Sequence, residues 1–181
     1  FDFTYNDGTT LFAIVGHNNT TFTIPNAPAG AYSVKSVTDA NGCVATDLGG
    51  VADVIVNPLP TATISGGGSY CEGSVAPTVT FTFTGTAPFD FTYTDGVTPV
   101  SVTNHMSLTF EVTNPAVGTY SITALSDNNG CVATALGTPV NVSQNPRPTA
   151  AVSGGGTVCA DGTLPDVTFT FTGTAPFDFT Y

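Results

Sequence analysis

"VTFTFTGTAPFDFTY", residues 79–93, decides the fold. Val79, Phe81 and Phe83 alternate with Thr80, Thr82 and Thr84, and Phe89, Phe91 and Tyr93 alternate with Asp90 and Thr92. A period of two sends successive side chains to opposite faces, so each half of the stretch reads as a half-buried β-strand with "GTAP" as the turn between them.

The same letters return at 167–181, and their last five, "FDFTY", also open the chain at 1–5. The offset is 88 residues and holds along the whole chain: "NGCVAT" at 41–46 recurs at 129–134, and "SGGG" at 65–68 recurs at 153–156. A fixed period of this size is the mark of a repeat architecture, and each period has the length of a small β-sandwich.

The central period supplies the other strands. "TATIS" (61–65), "PVSVT" (99–103), "LTFEV" (108–112) and "TYSITAL" (119–125) show the same alternation, the last with Tyr120, Ile122 and Ala124 on one face. "TDG" ends the strand at 89–93, with Gly96 free to take positive φ, and "SDNNG" (126–130) reads as a hairpin loop. "CVATALGTPVNVS" (131–143) is the last strand, interrupted by Gly137 and Pro139, which signals a bulge or an edge crossing between sheets. The fold class is therefore all-β: tandem immunoglobulin-like β-sandwich domains, about seven strands per repeat.

"NPLP" (57–60) and "NPRP" (145–148) mark the junctions, because proline fixes its own φ and restricts its predecessor, making a short, stiff connector. Residues 1–57 are read as a partial repeat holding only later strands, 58–146 as a complete repeat, and 147–181 as a partial repeat holding the first three strands. The missing strands come either from a continuing polypeptide or from a neighbour by strand donation.

Charged residues make up 8% of the chain and the net charge is −11, with Lys35 and Arg147 the basic side chains. No phosphate-neutralising surface can be assembled from these, which excludes nucleic acid, and the acidic balance disfavours anionic lipid. No apolar run approaches the length of a transmembrane helix, so no membrane insertion is expected in this segment.

At "GTAPFDFTYTDG", "GTYSITALSDNNGCVAT" and "NPLPTATISGGGSYCEGS" the chain resembles the tandem Ig-like repeats of very large cell-surface adhesins of Bacteroidota, including the gliding-adhesin type. The resemblance implies secretion, commonly by the type IX route, an extracellular location on the bacterial surface, and a role as filament, stalk or adhesin. Cys43 and Cys131 stand one period apart, as do Cys71 and Cys159, and an even count at fixed positions in a chain resembling secreted proteins suggests disulfides. Cys71 with Cys131 is the favoured pair and would add about 4 kcal/mol. It requires the Gly-rich segment after "TATIS" to fold back along the sandwich. The alternative joins Cys71 to the hairpin cysteine of the following domain. No C-x-x-C occurs and His17 and His105 are distant in sequence, which argues against zinc.

Asp7, Asp39, Asp95, Asp127 and Asp161 sit beside Asn or Gly in loops and read as turn residues, with calcium between domains as the sharper alternative; no EF-hand loop pattern is present. His17 and His105 read as loop residues without a nucleophile pattern near them. Asn18, Asn19 and Asn141 begin Asn-x-Ser/Thr triplets, and Tyr5, Tyr70 and Tyr93 are the aromatic candidates for a glycan platform, although their alternation favours core. No cofactor and no catalytic constellation is implied. The expected function is that of an extracellular structural repeat protein forming a rod or filament, with copies of itself as partners in line and laterally. The alternative is an adhesin module that binds surface glycans or a cell surface directly.

Overall fold

The computed structural model describes all residues, Phe1–Tyr181. The chain is built from β-strands and divides into two compact units, Phe1–Pro58 and Leu59–Tyr181.

The first unit holds strands β1 (Asp2–Asn6), β2 (Leu11–Ile14), β3 (Gly30–Thr38) and β4 (Val51–Val54) in one antiparallel sheet of order β2-β1-β3-β4. It is a single layer: one face of Phe3, Tyr5 and Phe22 has no second sheet over it.

The second unit contains a complete sandwich. Its strands are β5 (Thr61–Gly66), β6 (Gly68–Cys71), β7 (Val79–Thr84), β8 (Phe89–Thr94), β9 (Pro99–His105), β10 (Thr109–Val112), β11 (Gly118–Ser126) and β12 (Val140–Asn145). A three-stranded sheet of order β10-β7-β5 faces a five-stranded sheet of order β6-β12-β11-β8-β9. Val79, Phe81 and Phe83 from the first sheet meet Phe89, Phe91, Tyr120, Ile122, Leu125 and Val142 from the second, and all are buried. This is the two-sheet packing expected of an Ig-like domain.

Three details differ from the sequence reading. The sandwich has eight strands where about seven were expected, because the Gly-rich segment forms β6. Gly66, Gly67 and Gly68 all take positive φ, which turns the chain out of the β5 sheet and lets β6 pair parallel to β12 in the other sheet. Second, a register shift in β11 between Ile122 and Ala124 turns Ala124 outward and brings Leu125 into the core. Third, residues 131–139 form no strand. Ala62 donates its N–H to the Ala135 carbonyl at 3.1 Å, so this segment runs along the edge of the β5 sheet and crosses to the other sheet only at β12.

Residues after the second connector form β13 (Thr149–Gly154) and β14 (Val167–Thr172), an antiparallel pair in the same register as β5 and β7. Of the three strands expected in 147–181, these two form. "FDFTY" at 177–181 pairs with no strand and is not one itself. The same rule acts in the first unit: residues 21–24, equivalent to β10, are not a strand where no β7 pairs with them. A strand needs its neighbour's amides as much as its own side-chain pattern.

Candidate functional site

A concavity lies on the first unit, an apolar cleft of about 650 Å³ lined by Phe1, Phe3, Tyr5, Phe22 and Val34 among others. Phe3 and Phe22 meet edge to face at 5.1 Å, His17 packs on Phe22 at 5.5 Å, and Tyr5 stacks on Phe12 at 4.9 Å. His17 Nε2 donates to the Thr21 carbonyl at 2.8 Å. The lining carries one imidazole already engaged by backbone and no convergent polar groups suited to acid–base chemistry. The cleft can take up apolar surface.

The central sandwich contains the same cluster with its cover in place. Phe91 and Phe110 meet edge to face at 5.3 Å, and His105 Nε2 donates to the Thr109 carbonyl at 2.9 Å. Phe83 closes on Phe91 at 4.7 Å and on His105 at 6.1 Å, while Phe81 lies 5.3 Å from Tyr93. His105, at the end of β9, is therefore an edge piece of an aromatic core and ties β9 to the approach to β10, while His17 lies in the loop after β2, as read, and packs on Phe3 and Phe22. Tyr70 and Tyr93 pack against this core and are no exposed platform.

The loop aspartates bind backbone. Asp95 Oδ1 accepts the N–H groups of Val97 and Thr98 at 2.9 and 2.8 Å, which holds its carboxyl below the usual carboxylate range, and Gly96 between them takes φ 97°. Asp7 does the same with Thr9 and Thr10, and Asp39 with Cys43 and Asn41. Asp127 is buried. Burial opposes its charge, but N–H donors from Thr86, Cys131 and Asn129 outweigh that and hold its carboxyl low. With their oxygens spent on amides, these residues do not gather: nowhere do three or more His, Cys, Asp or Glu side chains converge as a metal site would require. Asn141 lies on β12, where it accepts from the Thr119 hydroxyl at 2.7 Å.

All four cysteines are free thiols. The favoured Cys71–Cys131 bond is corrected by topology. Cys71 ends β6 beside Asn145, beyond the start of β11, whereas Cys131 bonds to Asp127 just past the end of β11. The length of β11 separates them, roughly 25 Å at the rise of a strand, against the few ångströms a disulfide needs. Because β6 pairs with β12, the Gly-rich segment runs away from the hairpin and does not fold back toward it.

No helix is long and apolar enough to cross a membrane. No family model matches the chain, and no solved structure does. Among known proteins it is similar to nucleoporin pom152 of Schizosaccharomyces pombe, 30% identical over 152 residues, and to nucleoporin POM152 of Saccharomyces cerevisiae, 28% identical over 166 residues. These alignments cover 80% and 83% of this chain but 12% of each relative. Both relatives are yeast nucleoporins, and this overturns the extracellular, bacterial-surface location that the resemblance to adhesin repeats implied. What the residues and relatives together establish is an all-β chain of Ig-like sandwich repeats spanning a small part of much longer relatives.

Proposed function

We propose that the chain is a structural repeat protein, a series of Ig-like sandwiches held in line by stiff connectors to form a rod or filament. The observation that carries this reading is at the second connector. Arg147 of "NPRP" donates its Nε–H to the Glu72 carbonyl at 2.7 Å, and Glu72 donates its own N–H to the Asn145 carbonyl at 2.8 Å. The connector is thus fastened back onto the domain it leaves, by a charge-assisted hydrogen bond and by prolines on either side of the arginine. Gly73 makes room for it: with φ 79° and the guanidinium against its open side, a larger residue there would push Arg147 away.

Small-angle scattering from a three-repeat chain tests the reading. A single maximum dimension that lengthens by a constant rise per added repeat is expected, and Arg147→Ala broadens it. A broad distribution in the unaltered chain would refute the rod.

The likeness to two nucleoporins supports a second reading, in which the array is a segment of a nucleoporin. Immunofluorescence in the source cell with an antibody against the central sandwich separates the two: signal at nuclear pores carries the second reading, and signal elsewhere removes it.

A further inference from the structure

We infer that Asn129 is a modification site: the Asn129–Gly130 pair deamidates spontaneously, the hydroxyl of Thr86 restrains the rate, and the carboxylate produced loosens the β11 hairpin from the β7–β8 turn. Every group involved lies inside the complete central sandwich, and the inference is independent of the structural-array reading.

The chemistry is that of an asparagine followed by glycine. The Gly130 nitrogen attacks Asn129 Cγ and the new N–Cγ bond closes a succinimide ring. The Cγ–Nδ2 bond breaks, and Nδ2 leaves as ammonia with the proton from the Gly130 nitrogen. Solvent water then opens the ring at one of its two carbonyls. Opening at Cγ leaves aspartate at 129, and opening at the α-carbonyl leaves isoaspartate, with the chain rerouted through the former side chain. Glycine favours the attack because no Cβ crowds its nitrogen. Asn129 and Gly130 are both exposed, and no atom lies within 4 Å of where a side chain on Gly130 would stand, so solvent reaches the pair.

The fold holds the reaction back by engaging both reacting groups. Asn129 Nδ2, the leaving group, donates to Thr86 Oγ1 at 2.9 Å and to Asp127 Oδ2 at 3.4 Å. The Gly130 N–H, on the attacking atom, donates to the Asp127 carbonyl at 3.0 Å. The Asn129 N–H donates to Asp127 Oδ1 at 3.0 Å and fixes the backbone between them. To react, the side chain must give up Thr86 and turn onto Gly130. Thr86 lies 43 residues away, so this restraint is tertiary and is released whenever the hairpin parts from the β7–β8 turn.

The product acts on the same joint. An oxygen in place of Nδ2 sets a second negative charge beside Asp127 Oδ2, the atom that accepts the Thr86 N–H. Asp127 is buried, and like charges at this separation repel. A side chain on Gly85 would meet both Asp127 Oδ2 and Pro60, so the first connector seats against the same group of atoms.

Peptide mapping of the 181-residue chain during incubation at mildly alkaline pH tests this, with isoaspartate at 129 as the readout. Asn41–Gly42 is the internal control, since it has matching local bonds to Asp39 and Thr86 does not touch it. Asn129 should react more slowly in the folded chain than in urea. Thr86→Val keeps the backbone N–H and removes the hydroxyl, and should raise the rate at Asn129 roughly fivefold, the factor one neutral hydrogen bond represents, with Asn41 unchanged. Thr86→Ser should return the rate to that of the unaltered chain. Asn129→Asp, which installs the product, should lower the melting midpoint of the central sandwich by about 4 °C or more. Equal rates at Asn129 in the folded and unfolded chain, no acceleration in Thr86→Val, or acceleration at Asn129 and Asn41 alike, would overturn the inference. So would an Asn129→Asp chain that melts with the unaltered one.

Discussion

Asp127 and Thr86 lie 41 residues apart and are joined by a hydrogen bond: the Thr86 N–H donates to Asp127 Oδ2 at 3.2 Å. The other carboxylate oxygen accepts from Asn129 and Cys131 in its own hairpin. One buried side chain therefore pins the β11 hairpin to the turn between β7 and β8, which belong to different sheets. Replacing Asp127 with Ala leaves these donors unanswered and should lower the melting midpoint by about 4–8 °C, with Asn, which keeps one acceptor, falling less. Differential scanning calorimetry reads both.

Stability should depend on pH at both extremes. The carboxyls of Asp7, Asp39, Asp95 and Asp127 titrate below their ordinary 3.8 because backbone N–H groups hold their charged form. A depressed folded pKa contributes stability that is present above 3.8 and is lost as pH falls through the lower folded values. Tyr93 and Tyr120 titrate above their ordinary 10.0, chiefly through burial and secondly through the charge of Asp95. Their contribution is complete below 10.0 and disappears as pH rises beyond it. Urea midpoints should stay level at intermediate pH and fall on both sides.

The same residue type at the same repeat position should behave in two ways. Phe81→Ala removes a fully buried ring and should cost about 3–5 kcal/mol, whereas Phe169→Ala, 41% exposed on β14 of the 181-residue chain, should change the stability of that chain by less than about 0.5 kcal/mol. Equilibrium denaturation followed by intrinsic tyrosine fluorescence distinguishes them.

Thiol chemistry should find the cysteines reduced and independent. An alkylating reagent applied without reductant should modify all four, Cys131 more slowly because it is half-buried, and Cys71→Ser should leave the melting midpoint of the central sandwich unchanged with or without reductant. A drop in midpoint on reduction of the unaltered chain would contradict the separation of Cys71 from Cys131.

Much of the fold was legible because it is local. Phe81 and Phe83 alternating with threonine, or Phe89, Phe91 and Tyr93 with Asp90 and Thr92, specify a strand and its inward face without reference to any other part of the chain. The aspartate turns were legible for the same reason, since Asp95 reaches only as far as Thr98. Ala124 was misplaced because a register shift depends on how β11 meets β8, and Leu125 carries no local mark of it. Cys71 was misdirected because the path of a glycine run is set by the strand it finally joins. The apolar cleft could be anticipated only as missing strands; its lining required the assembled core.

By itself the amino-acid order determined the 88-residue period, the strand character of each alternating stretch, the turns and the connectors, since each follows from side-chain spacing and backbone preferences within a few residues. Only the tertiary structure decided which stretches with strand pattern became strands. "FDFTY" is a strand at 89–93, between β9 and β11, and is none at 177–181, where it pairs with no strand. The physical reason is that an extended segment leaves its amides and carbonyls unpaired until a neighbouring strand supplies partners, and an apolar face is stable only when another sheet takes it from water.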